Sequence, residues 1–226
     1  MTPHTSVRIW DLPTRLFHWA LAACVVALVI TANVGGNAMP WHFRFGYCVL
    51  ALLVFRVVWG LIGGHWSRFH TFFYSPARLV RYIRGDHPSD DTIGHNPLGA
   101  LSVFVMLAVL AAQVASGLLS DDEIAFSGPL TRFVSNATVS LATGYHTEIG
   151  QFLVLALVGL HIVAILFYVG VRKQSLVRPM IDGNKTLPTA TRPSRDDAAS
   201  RVAALVVLAF SATLSWWVSS LAAAAF

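Results

Sequence analysis

Five long apolar runs dominate the chain, separated by one short and three longer polar stretches. Bilayer hydrocarbon is about 30 Å thick, so a helix rising 1.5 Å per residue crosses it with about 20 mostly apolar residues. Leu16–Val34, Trp41–Ile62, Leu98–Leu119, Ile149–Val171 and Val202–Phe226 meet that requirement and predict five membrane-spanning helices. The last is rich in Ala and Ser, and Trp216 and Trp217 are placed to mark its interface with the headgroups. The first is longer than the apolar region of a signal peptide and lacks a clear small-x-small cleavage site, so it is expected to be retained. The fold class expected is an all-α integral membrane protein: a four-helix core over residues 1–171, a polar linker over 172–201, and a fifth helix over 202–226.

Composition agrees with that reading. Of 226 residues, 55% are hydrophobic and 12% charged, against roughly 25% charged in a soluble domain. The net charge of +5 lies between the apolar runs and forms no aromatic-basic stripe, which argues against nucleic acid. Instead it reports orientation, because short loops rich in Lys and Arg stay on the cytoplasmic side. Arg8 and Arg15 precede the first run; Arg68, Arg78, Arg81 and Arg84 follow the second; Arg172, Lys173, Arg178, Lys185, Arg192, Arg195 and Arg201 follow the fourth. The opposite side has no charge over 35–40, and over 120–145 it has Asp121, Asp122, Glu123 and Arg132. A cytoplasmic N-terminus follows. The Phe72–Arg84 stretch is expected to form a short helix on the membrane surface. Cys24 and Cys48 both lie within apolar runs, and no Cys-x-x-Cys-His motif exists, which excludes c-type haem attachment and a disulfide framework.

Ionisable residues inside spans are costly and mark function by default. His18 stands near the inner end of the first run, His42 near the outer end of the second, His146 at the outer start of the fourth, and His161 deep within the fourth. The 15 residues from His146 to His161 correspond to about 22 Å of rise and about 60° of azimuth, so both can face one interior at different depths. His18 then pairs with His161 in the inner half, and His42 with His146 in the outer half. Two opposed imidazoles per site suit haem iron held for electron transfer, whereas tetrahedral zinc or copper wants three or four ligands together. Arg56, 14 residues after His42 and about 21 Å deeper, is level with the inner site as a propionate partner, with snorkelling to the headgroups as its alternative. Arg15 and Arg44 are interfacial candidates for the same task. His4, His65, His70 and His87 read as solvated, and His95 as part of a helix-initiating turn or the edge of a quinone or haem site.

The run Trp10-Asp11-Leu12-Pro13-Thr14-Arg15-Leu16-Phe17-His18-Trp19 resembles the bacterial cytochrome b-561 family, which includes the b-type cytochrome subunits of nickel-iron hydrogenases. Trp41-His42 with Gly46-Tyr47, Phe55-Arg56 with Trp59-Gly60, the run from Gly94 to Gly99, and Gly159-Leu160-His161 extend the resemblance over roughly Val7 to Lys185. It implies a four-helix core with two non-covalent haems b, moving electrons between a membrane quinone pool and a redox partner such as a hydrogenase or cytochrome c. His18, His42, His146 and His161 fall on the family's ligand positions. One departure stands out: the family separates its two fourth-helix ligands by fourteen residues with Glu directly after the first, whereas here the run is His146-Thr147-Glu148. Either His146 sits in the turn leading into the helix or the helix is locally distorted there. Two other functions compete. A stand-alone superoxide:quinone oxidoreductase would use Arg44 and Arg132 as cations beside the outer haem. A histidine-based metal or proton transporter would carry an inverted repeat with broken helices, which the sequence does not display.

Overall fold

The computed structural model describes residues 5–86, 88–188 and 191–223, so His4 and His87 lie outside the described residues. Helices α1 (Leu12–Val34), α2 (Met39–Ile62), α3 (Pro76–Ile83), α4 (Pro97–Leu118), α5 (Asn136–Gly144), α6 (Gln151–Gly170), α7 (Val177–Asp182) and α8 (Ala198–Ala223) account for most of the chain, with two short strands, β1 (Thr5–Arg8) and β2 (Asn184–Leu187). Among the described residues, five helical segments are long and apolar enough to span a membrane: Leu12–Val34, Gly36–Ile62, Pro97–Leu118, Asn136–Gly170 and Ala198–Ala222. The fold is that of an all-α integral membrane protein. The fourth span starts well before the expected Ile149, because α5 runs on through a six-residue π-helical turn, Tyr145–Gly150, into α6.

Local chemistry sets the boundaries. Asp11 caps α1, its Oδ1 accepting from the Thr14 N–H at 2.8 Å, with Pro13 in the first turn. Asn96 does the same for α4 ahead of Pro97, accepting from the Gly99 N–H at 2.7 Å. Ser75 precedes Pro76 as the cap of α3. Between α1 and α2 the chain reverses through Gly35 and Gly36, at φ 63° and 48°, a left-handed conformation that a side chain would strain.

Packing divides the chain into two compact units. The first comprises the chain up to Phe17, Arg56–Val105 and Gly159–Leu205. In it β1 and β2 pair antiparallel, Thr5 opposite Leu187 and Arg8 opposite Asn184. Val7, Ile9, Trp10, Ile93 and Leu187 form its apolar core, with Trp66 and Met180 packed against them. Within 172–201, expected as a linker, the described residues include α7, capped by Gly183, then β2, and Asp196 forms ion pairs with Arg8 and Arg201. The segment's Pro and Thr content reads as loop in isolation, but for Asn184–Leu187 an antiparallel partner at the start of the chain, Thr5–Arg8, supplies the missing hydrogen bonds. The stretch expected as a short surface helix contains α3, in which Val80 and Ile83 are exposed, as is Phe73 ahead of it, and Arg78 is paired with the buried Asp91.

The second unit comprises His18–Phe55, Met106–Val158 and the chain from Val206 onward. Its core is Val49, Leu53, Leu110 and Val154, flanked by Leu21, Val25, Leu28, Leu107 and Val114. The polar connection after α4 folds back on itself: Gly128 N–H donates to Ser120 O at 2.7 Å, and the Asp122 carboxylate accepts from three successive backbone N–H groups, Ile124 to Phe126.

Candidate functional site

His42 lies in the first turn of α2 and His146 in the π-helical turn, and the second unit brings them together. Their ring centroids are 6.2 Å apart and the planes stand at 90°. Each Nδ1 is turned towards helix backbone. His42 Nδ1 lies 3.2 Å from Leu28 O and 3.3 Å from Thr31 Oγ1, and His146 Nδ1 lies 2.9 Å from Gln113 O and 3.3 Å from Ser116 Oγ. A carbonyl oxygen only accepts, so both rings must carry their proton on Nδ1. That leaves Nε2 on each as the nitrogen with a free lone pair, the tautomer and orientation that outer-sphere carbonyls impose on metal-bound imidazoles.

Size supports the same chemistry. Two imidazoles bound to one metal ion at about 2.0 Å place their centroids roughly 6 Å apart, close to the 6.2 Å seen between His42 and His146. Gly117 of α4 lies directly beside the His146 ring: a Cβ there would stand 2.7 Å from Cε1. These residues fit a haem iron held by two histidines.

The π-turn resolves the spacing question raised by the sequence. A π-turn accommodates one residue more than an α-turn, so the fifteenth residue between His146 and His161 is absorbed within Tyr145–Gly150 rather than carried as a rotation into α6. Sequence reasoning named a local distortion as one option and missed the residues that support it, Gln113, Ser116, Gly117 and Gly150. Gln113 offered the one signal, an amide side chain within a spanning run.

His18 is half-buried in α1, in the second unit, with its ring edge-on to Trp19 at 5.0 Å. His161 is half-buried in α6, in the first unit. Arg56, 3% exposed, donates to Ser67 O at 3.0 Å and lies over the Phe69 ring at 4.6 Å. It does not reach out to the surface. Ser67 in turn donates to Asp11 Oδ2 at 2.5 Å, and Trp59 Nε1 donates to Asp11 Oδ1 at 3.1 Å. Arg15 donates to Ile181 O, while its Nε is buried with no hydrogen-bond partner among the described residues. Arg44 is exposed over the Trp41 ring at 4.7 Å, and Arg132 lies over Phe133 at 4.7 Å. His95 directly precedes Asn96, the cap of α4, and its ring meets those of Trp10 and Phe72 at tilted angles, at 4.6 and 4.4 Å between centroids. Burial, with the Arg56 charge nearby, pushes its imidazole down to about 3.

Comparison with known proteins agrees with this chemistry. A probable Ni/Fe-hydrogenase B-type cytochrome subunit of Azotobacter vinelandii is 27% identical over 217 residues, covering 79% of this chain and 88% of that protein. The corresponding protein of Rhodobacter capsulatus is 22% identical, covering 80% and 82%. A probable Ni/Fe-hydrogenase 1 B-type cytochrome subunit of Escherichia coli K12 is 22% identical over 138 residues, covering 48% and 57%. No solved structure matches the chain. Residues 9–183, which include the four histidines and three arginines singled out from the sequence, match the prokaryotic cytochrome b561 family. The chain therefore belongs to that family, as a multi-pass membrane cytochrome b that carries haem b in electron transfer.

Proposed function

We propose that the chain is a di-haem cytochrome b of a bacterial inner membrane, with its N-terminus in the cytoplasm, passing electrons between the quinone pool and a redox partner protein. The observation that carries this reading is the His42–His146 pair, in which both Nδ1 protons are committed to backbone carbonyls and both Nε2 lone pairs remain for iron. Haem b, when bound, supplies one-electron redox chemistry, and the protein supplies position and potential.

His42 and His146 hold one haem. His18 and His161, paired by their positions along the sequence of their spans, would hold the second. Two histidines on each iron would leave no open coordination site for small molecules and would favour electron transfer. Leu28 O and Gln113 O keep the imidazoles electron-rich by accepting their Nδ1 protons. Arg15, Arg44 and Arg56 provide positive charge for the propionates; Arg15 has a buried donor to give, and Arg56 contributes its charge from within the polar network around Ser67 and Asp11. The hydrogenase subunits among the relatives support a hydrogenase-like partner, and a cytochrome c is the other candidate of the same kind.

The test is haem stoichiometry by histidine substitution. Purified protein should contain about two low-spin haems b per chain by pyridine haemochrome. His42→Ala and His146→Ala should remove one and the same haem, and His18→Ala and His161→Ala the other. A folded protein free of haem, or a His42 variant and a His146 variant that lose different haems, would overturn the assignment.

A further inference from the structure

We propose that Gln113 is a positioning residue for His146, its carboxamide clamping the π-turn Tyr145–Gly150 in the register that brings the imidazole opposite His42. The inference rests on the reading of His42 and His146 as the ligands of one haem.

Gln113 grips His146 twice. Its backbone carbonyl accepts the Nδ1 proton at 2.9 Å, and its side-chain Nε2 donates to His146 O at 3.0 Å. One residue of α4 therefore fixes both the imidazole and the main chain that carries it. Ser116 Oγ donates to the same Gln113 carbonyl at 2.9 Å, so the acceptor is held as well.

The surrounding sequence makes room for this grip. A Cβ on Gly150 would land on Gln113 Oε1 and 2.8 Å from Tyr145 Cε1, so only glycine closes the π-turn with the carboxamide in place. Gly117, four residues after Gln113 and on the same face of α4, clears the His146 ring. Gln113 Oε1 is itself buried and has no hydrogen-bond partner among the described residues. A buried acceptor left unpaired is unfavourable, and Leu would fill the same volume without it. The group is held there by its donor side, through the bond to His146 O.

A π-turn is strained relative to the α-helix on either side of it and persists where something outside the helix supports it. Without support, relaxing one residue of register rotates everything on the N-terminal side by about 100°. The side chain at position 146 would then turn away from His42.

The experiment compares Gln113→Leu, deletion of Thr147, and the two combined, in purified holoprotein. Gln113→Leu should convert one of two low-spin haems to a high-spin form in electron paramagnetic resonance, or weaken its binding ~10–100-fold. The haem at His18 and His161 should keep its signal and report that the chain is folded. Deleting Thr147 removes the residue that the π-turn absorbs, so the combined variant should regain the second low-spin signal. A role in packing alone would not be rescued by a shorter chain. Two unaltered low-spin haems in Gln113→Leu, or a combined variant no better than Gln113→Leu, would overturn the proposal. Should Gln113→Leu fail to fold, rescue or its absence in the combined variant decides in the same way. Wild-type protein without a haem at His42 defeats the functional reading instead, and is seen before any variant is made.

Discussion

Trp59 donates its indole N–H to Asp11 at 3.1 Å, joining the end of α2 to the cap of α1 across 48 residues of sequence. Asp11 is fully buried and also accepts from Thr14 N–H and Ser67 Oγ, while Ser67 O takes the Arg56 guanidinium. Every oxygen of the carboxylate is used, which is the condition under which a buried charge is tolerated. Asp11→Ala should therefore be among the most damaging single changes in the first unit. It removes the acceptor shared by three donors and leaves the Arg56 charge without its nearby carboxylate, a loss of about 3–5 kcal/mol by analogy with broken buried pairs. Asp11→Asn keeps an oxygen for the cap and should lose less. Thermal unfolding in detergent, followed by tryptophan fluorescence, measures both, and equal stability of Asp11→Ala and wild type would contradict the network's role.

Gly117 offers a steric test of the haem site that leaves all four histidines intact. A Cβ there meets the His146 ring at 2.7 Å, inside any normal contact, and the neighbour is a ring already tied to Gln113 O. Gly117→Ala should displace that ring and weaken the haem it binds ~10–100-fold, as outer-sphere changes do. Gly144→Ala is the control: it is helical, with φ −58°, and a Cβ there meets nothing within 4 Å. That change should stabilise by ~0.5–1 kcal/mol through backbone entropy. Haem titration of the two variants separates clearance at His146 from a general intolerance of larger residues.

The spans were legible because their length is a direct consequence of bilayer thickness, and the His42–His146 pairing was legible because matched depth on two helices is simple arithmetic. What escaped was whatever depends on a partner far away in the chain. Thr5–Arg8 is four residues long and gives no strand signal until Asn184–Leu187 lies beside it. Asn136–Gly144 contains Thr, Ser and Gly, poor helix formers on their own, yet it is helical, capped by Ser135. Gln113 looked like a single polar residue in an apolar run, and its meaning appears only when His146 O is found within reach. Arg56 was weighed as a propionate partner or a snorkelling side chain. Its burial against Ser67 and Phe69 argues against snorkelling, and the bond to Ser67 O is one that charge placement alone does not reveal.

His95 predicts how the first unit responds to acid. Its imidazole is pushed down to about 3 by burial and by Arg56, against about 6.5 in an unfolded chain. Between those values the unfolded chain binds a proton that the folded chain refuses. Stability is therefore fully present above about pH 6.5 and declines as pH falls towards 3. His95→Phe keeps an aromatic ring between Trp10 and Phe72 and removes the proton site. Its unfolding temperature should depend less on pH across that window than the wild type's. Parallel pH profiles for the two proteins would exclude His95 as the source.

The fifth span lies beyond the residues that match the family, and its attachment can be tested separately. Ser215 of α8 donates to Tyr47 O of α2 at 2.6 Å, and Ser211, one turn earlier, is fully buried with its hydroxyl turned back to Val207 O. Small residues let helices approach closely in a membrane, and a hydroxyl then bonds across at about 0.6 kcal/mol. The opposite side of α8, with Phe210, Trp216 and Trp217, is exposed. Ser215→Ala keeps the volume and loses only that bond, so its effect should be small. Ser215→Leu adds bulk where the two backbones meet and should separate α8 from α2, lowering the unfolding temperature in detergent well beyond the Ala variant. Because His42 and His146 are held by α1, α2, α4 and the π-turn, haem content should survive Ser215→Leu. Loss of the His42–His146 haem in that variant would show that α8 supports the site as well as packing beside it.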